Sequence, residues 1–336
     1  MGGGGGVNPY EDVVYDGSYG SEKEFLRWKY GDFSENFITY TKLSKLLADL
    51  DEESVKTVTT ILCRLKKIMP IIKNIYNLKK KLRIDFFTSK EKKYIRELRE
   101  DYSNNIIQIA PDCFCYKNYF LPINAFSPSV FYDKHGLRNI LNIDAARNKD
   151  IIDVGGYIGD SLLILCPLTR KNVYTFETVS ENFNFLEKTI IYNNLTNVKP
   201  FRMALGSGKR TVYINGDGSG ATVSDGGESD SEKVEMNTLD NIVEQYNLNV
   251  GLIKVDIEGA EQDFLKGAMN TIRKYKPILL LSIYHSINDF FEIKPIVESW
   301  NLGYRYKIVK PMDGNLIAET LLIAEHQENS SILLAL

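Results

Sequence analysis

The sequence predicts an α/β protein: a Rossmann-like, mostly parallel sheet whose last strand is antiparallel, with a helical N-terminal region. Three observations predict it. From Lys149 onward, short apolar runs alternate with stretches of helical period, the pattern of a parallel sheet covered on both faces. A glycine-rich turn, "DVGGYIGDS" at residues 153–161, joins one such run to the next stretch. Near the C-terminus, "YRYKIV" and "AETLLIAE" flank "MDGN", which reads as a short Asp-Gly hairpin that reverses the final strand.

The elements follow in chain order. The opening "MGGGGGV" reads as a flexible tail, and residues 1–20 are expected to be flexible. In "TKLSKLLADL", Leu43, Leu46, Leu47 and Leu50 recur at helical spacing. "VKTVTTILCRLKKIM" repeats the pattern through Val58, Ile61, Leu62 and Leu65, and Pro70 is expected to interrupt or kink that helix. Helical texture resumes through Ile75 and Leu82, and Thr88 and Glu91 have capping-box spacing before a further helix. Residues 100–150 read as irregular, aromatic and proline-containing. Then strands "DIIDVG", "NVYTFE", "VKPFRMAL", "GLIKVDI" and "PILLLSIY" alternate with helices. One of these, "SENFNFLEKTIIYNN", is expected to place Phe183, Leu186 and Ile190 on one face. The Gly/Ser/Asp-rich stretch from Gly206 to Glu235 reads as a flexible surface loop, with a substrate lid as the sharper alternative. This gives a mainly helical N-terminal region, residues 1–125, and a main domain, residues 126–336.

Composition bounds the partners. The chain of 336 residues carries a net charge of −3, so no global attraction to nucleic acid or membrane is expected. Between Lys56 and Arg99, 14 Lys/Arg face four Asp/Glu counted to Glu100, which reads as a solvated helix face, with an anionic docking surface as the alternative. No apolar run is long enough to span a membrane. Cys63, Cys113, Cys115 and Cys166 fit neither a disulfide framework nor a zinc site, so they are read as reduced, mostly buried thiols of a cytoplasmic protein.

The glycine turn follows a strand and opens a helix, where free N–H groups meet a ligand. Glu177 ends the next strand, where a carboxylate accepts hydrogen bonds from both ribose hydroxyls of an adenosine. A nicotinamide cofactor and S-adenosylmethionine both meet these conditions. The G-G-x-x-G spacing departs from the dinucleotide fingerprint, and Asp153 would repel a pyrophosphate but attract a sulfonium. Asp160 and Ser161 are candidate helix caps, and Thr178 with Glu181 has capping-box spacing.

In order, "IIDVGGYIGDS", "FETVSENFNFL", "NTLDNIV", "LIKVDIEGAEQDFLKGA", "PILLLSIYH" and "ETLLIAE" resemble the FkbM family of S-adenosylmethionine-dependent methyltransferases over roughly residues 130–325. Within the fourth stretch the matches fall at Lys254, Asp256, Glu258, Gly259, Glu261 and Gly267. The resemblance implies a class I methyltransferase sheet, S-adenosyl-L-methionine as cofactor, and methyl transfer, most often to a hydroxyl of a sugar, glycan or related metabolite. Tyr157 stands where many methyltransferases have a small residue, and Thr178 replaces a common proline.

The cofactor is then expected against Asp153, Gly155, Gly156, Tyr157, Gly159, Glu177 and Ala204, with Leu205 beside the adenine. Asp256, Glu258 and His285 are the candidate catalytic residues: His285 or Asp256 as general base, Asp256 and Glu258 sharing one strand face to orient the acceptor. Glu261 is placed at a helix start, where its charge suits the helix dipole. A salt bridge from these carboxylates to Lys254 is the structural alternative, and no metal is expected. His135 and His326 are read as structural, although "YDKHGL" could close over the site. An oxidoreductase acting on a nucleotide sugar with a nicotinamide cofactor, and a non-catalytic adenosyl-binding module, are the competing functions.

Overall fold

The computed structural model describes residues 39–76, 87–215, 218–226 and 231–327. The glycine tail, Leu82 and part of the basic run lie outside these residues, as do residues 216–217 and 227–230 of the Gly/Ser/Asp-rich stretch.

A seven-stranded sheet forms the centre, built from β4 (Asp150–Val154), β5 (Val173–Glu177), β6 (Val198–Arg202), β11 (Val250–Val255), β12 (Ile278–Ser282), β13 (Tyr304–Val309) and β14 (Leu321–His326). Its order is β13-β14-β12-β11-β4-β5-β6, and β14 alone runs antiparallel to its neighbours. Every residue of β4, β5, β11 and β12 is buried, as strands covered on both faces must be. β13 and β14 are joined by the whole segment 310–320, not by the short Asp-Gly turn expected.

Helices α1 (Tyr40–Leu47) and α2 (Glu52–Tyr76) pack on the C-terminal part of the sheet domain: α1 lies on the helix Ile287–Glu298 and α2 on β13. Leu46, Val58, Ile61, Leu62 and Leu65 enter the same core as Ile253, Leu279 and Leu322. Ser54 Oγ accepts a hydrogen bond from the Ile308 N–H at 2.9 Å, fixing α2 to the sheet edge. α2 runs through Pro70, contrary to the expected interruption. A proline removes one backbone bond, and the remaining bonds of a 25-residue helix hold. Helix α3 (Ser89–Asn105) opens with the expected capping box of Thr88 and Glu91.

Several local expectations are corrected. Residues 106–121 form an antiparallel meander, β1 (Ile106–Ala110), β2 (Cys113–Tyr116) and β3 (Tyr119–Leu121), in the stretch read as irregular. "VKPFRMAL" divides into β6 and β7 (Ala204–Leu205), which belong to different sheets. The expected loop after Gly206 contains β8 (Arg210–Asn215), β9 (Thr222–Ser224) and β10 (Glu232–Asn237), ordered β7-β10-β8-β9. The alternating "RTVYIN" and "EKVEMN" carry that signal: Val212, Ile214, Val234 and Met236 form a small core. The helix after the glycine turn, α4 (Leu162–Leu165), lasts four residues before Pro167 ends it in a 3₁₀ turn. In α5 (Ser180–Tyr192) the buried residues are Asn182, Leu186 and Thr189, while Phe183 and Ile190 are half-buried. All four cysteines are free, but Cys166 alone is buried.

Candidate active site

The C-terminal ends of β4, β5 and β11 open into a cleft of about 370 Å³. Gly155, Tyr157, Glu177, Ala204, Asp256 and Glu258 line it, as do Leu205, Lys254 and Tyr284. This is the crevice where open α/β sheets bind ligands.

Gly155 sets the floor. Its φ is +85°, and an added Cβ would lie 1.8 Å from the Asp256 backbone oxygen. The chain leaving β4 therefore crosses directly under the chain leaving β11, which only glycine permits. Gly155→Ala is expected to destabilise the protein by ~2–5 kcal/mol through left-handed strain plus collision. Urea denaturation monitored by circular dichroism measures this, and an unshifted midpoint would contradict it. Gly156 and Gly159 are absent from the lining: the first presses on Thr175 and Leu186, the second on Thr189 and Leu186.

Glu177 receives three backbone N–H groups. Tyr157 N donates to Oε2 at 2.7 Å, and Thr178 N and Val179 N each donate to Oε1 at 2.8 Å. Burial pushes its carboxyl above the ordinary range, against the pull of those amides. The amides fix the carboxylate at the cleft wall while leaving Oε2, which accepts only one of them, a further lone pair. No Thr178–Glu181 capping box forms; Val179 is the N-cap of α5, without a side-chain cap. Ser180 donates instead to Glu232 of the second sheet, from both N and Oγ.

Asp153 is placed differently from its expected role. It is fully buried beneath the glycine turn, accepts from Thr175 Oγ1 at 2.9 Å and pairs with Lys254 Nζ at 3.1 Å. Lys254 Nζ also donates to the Gly155 carbonyl at 2.9 Å. Burial alone would lower the ammonium pKa, but Asp153, Asp256 and Asp160 outweigh it and hold it above the usual range. The salt bridge expected between Lys254 and the "DIEGAE" carboxylates thus runs to Asp153. Its effect is to tie β4, β11 and the glycine turn together.

Asp256 and Glu258 do not share a strand face, because β11 ends at Val255 and Glu258 has φ +59°. They converge through His285, which lies beyond the end of β12. His285 Nε2 is 3.3 Å from Asp256 Oδ1 and 3.8 Å from Glu258 Oε1, and Nδ1 is 2.8 Å from the buried Glu261. Burial opposes charging of the imidazole, but Glu261, Asp256 and Glu258 outweigh it and push its pKa up to about 10. His285 is therefore an imidazolium at neutral pH and has no lone pair with which to take a proton. Ligand-type atoms of Asp256, Glu261 and His285 lie within 4.8 Å of one another. Asp256 is held below the usual carboxylate range: burial would raise it, but His285 and Lys254 prevail.

This clamp carries a sign in pH. A histidine raised from 6.5 to about 10 stabilises the fold fully below 6.5, progressively less above it, and not at all beyond about 10. Melting temperature is expected to fall across that window, and His285→Asn to flatten the fall. An equal slope in both proteins would contradict the clamp.

Sequence reasoning missed His135 as a lining residue. Its ring is buried, its Nε2 lies 2.9 Å from Ser161 Oγ, and burial together with Lys254 pushes its pKa down to about 3. Ser161 consequently makes no cap bond; Asp160 Oδ1 accepts from Ser161 N instead. Burial raises Asp160 to about 6. The available signal was "YDKHGL" itself, in the segment leading into β4, where Lys134, His135 and Gly136 all have positive φ. His326 packs in the core against Tyr304.

Residues 153–306 match the family described as the methyltransferase FkbM domain. They form an FkbM methyltransferase domain. The crystal structure of methyltransferase FkbM from Methylobacillus flagellatus shares the fold of this chain, with 19% identity and a TM-score of 0.52. The likeness covers 84% of this chain and 58% of that one, so the chain spans little more than half of that relative's length. Similarity extends to the O-methyltransferase from Bacillus cereus in complex with SAH, at 10% identity, TM-score 0.38, 71% of this chain and 91% of that one. It also extends to the SAH-bound methyltransferase from Podospora anserina, at 14% identity, TM-score 0.33, 55% of this chain and 76% of that one. In sequence comparison, no curated protein gives a significant match. The FkbM domain is of the S-adenosylmethionine-dependent class, and the Gly155 cradle and the amide-held Glu177 fit that cofactor. Among the described residues, no helix is long and apolar enough to cross a membrane.

Proposed function

We propose that this protein is an S-adenosylmethionine-dependent O-methyltransferase acting on a hydroxyl of a sugar, glycan or related metabolite. The observation that carries the reading is Glu177, fixed by three backbone amides at the wall of a cleft across the parallel strand ends, within an FkbM domain. Glu177 would accept from the ribose hydroxyls, the backbone of Gly155 and Tyr157 would pass beneath the ligand, and Ala204 and Leu205 would flank the adenine. Gly156 and Gly159 act by shaping the turn, and Asp153 acts through Lys254. When bound, S-adenosylmethionine supplies an activated methyl group.

The chain's contribution is then alignment, which supplies roughly 7–11 kcal/mol in well-oriented reactions. Asp256 and Glu258 face the cleft as acceptors for substrate hydroxyls, and the His285 imidazolium holds Asp256 in its ionised form. We assign no divalent metal: a protonated His285 would offset part of the negative charge of these carboxylates. The free cysteines suit a reducing, cytoplasmic setting, and the modest net charge suits a small-molecule or glycan acceptor rather than nucleic acid.

The test is incubation with methyl-labelled S-adenosylmethionine and extracts of glycans, lipids and metabolites, followed by mass spectrometry. The expected product is a methyl ether on a glycan or sugar, formed equally after EDTA treatment. Label confined to nucleic acid, or turnover of a nicotinamide cofactor instead, would overturn the reading. Cofactor binding without turnover on any extract would favour the non-catalytic module.

A further inference from the structure

A second cavity of about 500 Å³ adjoins the cleft, and Ser127 and Glu319 line both. Its volume lies within the ~300–1,000 Å³ of small-molecule sites. It is built by α3, the segment after β3 and the connection 310–320, all outside residues 153–306 that match the FkbM domain. The cleft is built mainly from the FkbM domain and closed on one side by residues 125–135 and Glu319, whereas the second cavity lies wholly outside that domain.

Two polar residues, Tyr102 and Asn124, belong to its wall. Tyr102, which is 4% exposed, stacks on Tyr116 and has that residue as its hydrogen-bonding neighbour. Asn124 Oδ1 is buried and unpartnered. An unpartnered group of this kind is rare in folded proteins. Phe126 adds an aromatic wall, and Asn315 and Ser103 add further donors and acceptors. Charge on the wall is close to balanced: Arg96 and Arg99 face Glu100, Asp313 and Glu319, and Asp313 is also paired with Lys310 at 2.7 Å. Mixed donors and acceptors beside aromatic surface, with little net charge, suit a neutral polyhydroxylated molecule.

Glu319 stands at the junction with φ +64°, a strained backbone for a residue with a side chain. We propose that the second cavity holds a neutral, polyhydroxylated acceptor and that Glu319 takes the proton of the hydroxyl being methylated. This rests on the methyltransferase reading above. The acceptor oxygen forms its bond to the methyl carbon, the carbon–sulfur bond breaks with its electron pair left on sulfur, and the proton goes to the Glu319 carboxylate. Burial, then Asp256 and Asp313, push the Glu319 carboxyl up to about 8, while Lys310 and Ser129 pull the other way. It is a stronger base than an ordinary carboxylate, and the rate is expected to rise as pH passes through that value.

The test uses the full chain with S-adenosylhomocysteine and a panel of methyl glycosides of glucose, mannose, galactose and rhamnose, read by saturation-transfer NMR. At least one glycoside is expected to bind. Tyr102→Phe, a change in the cavity wall, should weaken that binding about three- to tenfold. Asn124→Leu should abolish it. In Glu319→Gln, the infrared band of a carboxyl that ionises near pH 8 should vanish. Methylation of the bound glycoside should then fall ~10²–10⁴-fold and lose its rising pH limb, with S-adenosylhomocysteine affinity unchanged. Glycoside binding unaffected by both cavity variants, or no glycoside binding while S-adenosylhomocysteine binds, would overturn the subsite. A pH limb persisting in Glu319→Gln would overturn the base. Failure of S-adenosylhomocysteine to bind the unmodified protein would instead remove the underlying reading, and the proposal with it.

Discussion

Lys254→Met lowers the unfolding free energy by about 3–5 kcal/mol, because it leaves Asp153 charged and buried without its partner. The side chains of Asp153 and Lys254 are 0% and 5% exposed, so water compensates neither. The same ammonium holds the Gly155 carbonyl, so the glycine turn loosens as well. Chemical denaturation measures the effect. The double variant Asp153→Leu with Lys254→Met recovers most of the loss, since an apolar pair of similar volume replaces a buried ion pair at little cost. If Lys254→Met alone were as stable as the unmodified protein, the pair would not be the tie between β4 and β11.

Glu177→Gln weakens S-adenosylhomocysteine binding by roughly 10–100-fold, the worth of a hydrogen bond to a charged group. The carboxylate accepts on both oxygens, from Tyr157 N on one side and from Thr178 N and Val179 N on the other. An amide offers one acceptor and one donor, so on one side its NH₂ meets a backbone N–H. Titration calorimetry reads the change, with Glu181→Gln, an exposed carboxylate one turn away on α5, as a control that leaves affinity intact. Equal affinities in all three proteins would remove Glu177 from the site.

The central sheet was legible because its signal is local and repeated. Largely apolar runs such as "GLIKV", and wholly apolar ones such as "ILLL", form doubly covered strands, and the intervening residues have helical period. The ring around the cleft was legible where a turn or strand end fixes it, as at Gly155, Glu177 and Ala204. Contacts made across the sequence were not legible. Asp153 had the right chemistry to face a cation, and that cation is Lys254, 101 positions along. Asp256 and Glu258 have the spacing of one strand face, but the left-handed turn at Glu258 and Gly259 rotates them, and His285 gathers them from another strand. Glu319 lies in a connection whose "MDGN" suggested a short hairpin, so nothing in its immediate neighbours placed it between two cavities. The second sheet was hidden because glycine- and serine-rich turns dominate its composition, although its strands alternate cleanly.

A crystal structure grown with S-adenosylhomocysteine tests the central claim most directly. The account predicts density for the ligand across the ends of β4, β5 and β11, its ribose hydroxyls within hydrogen-bonding distance of Glu177. Ligand bound elsewhere, or an ordered complex in which Glu177 touches none of it, would contradict the account.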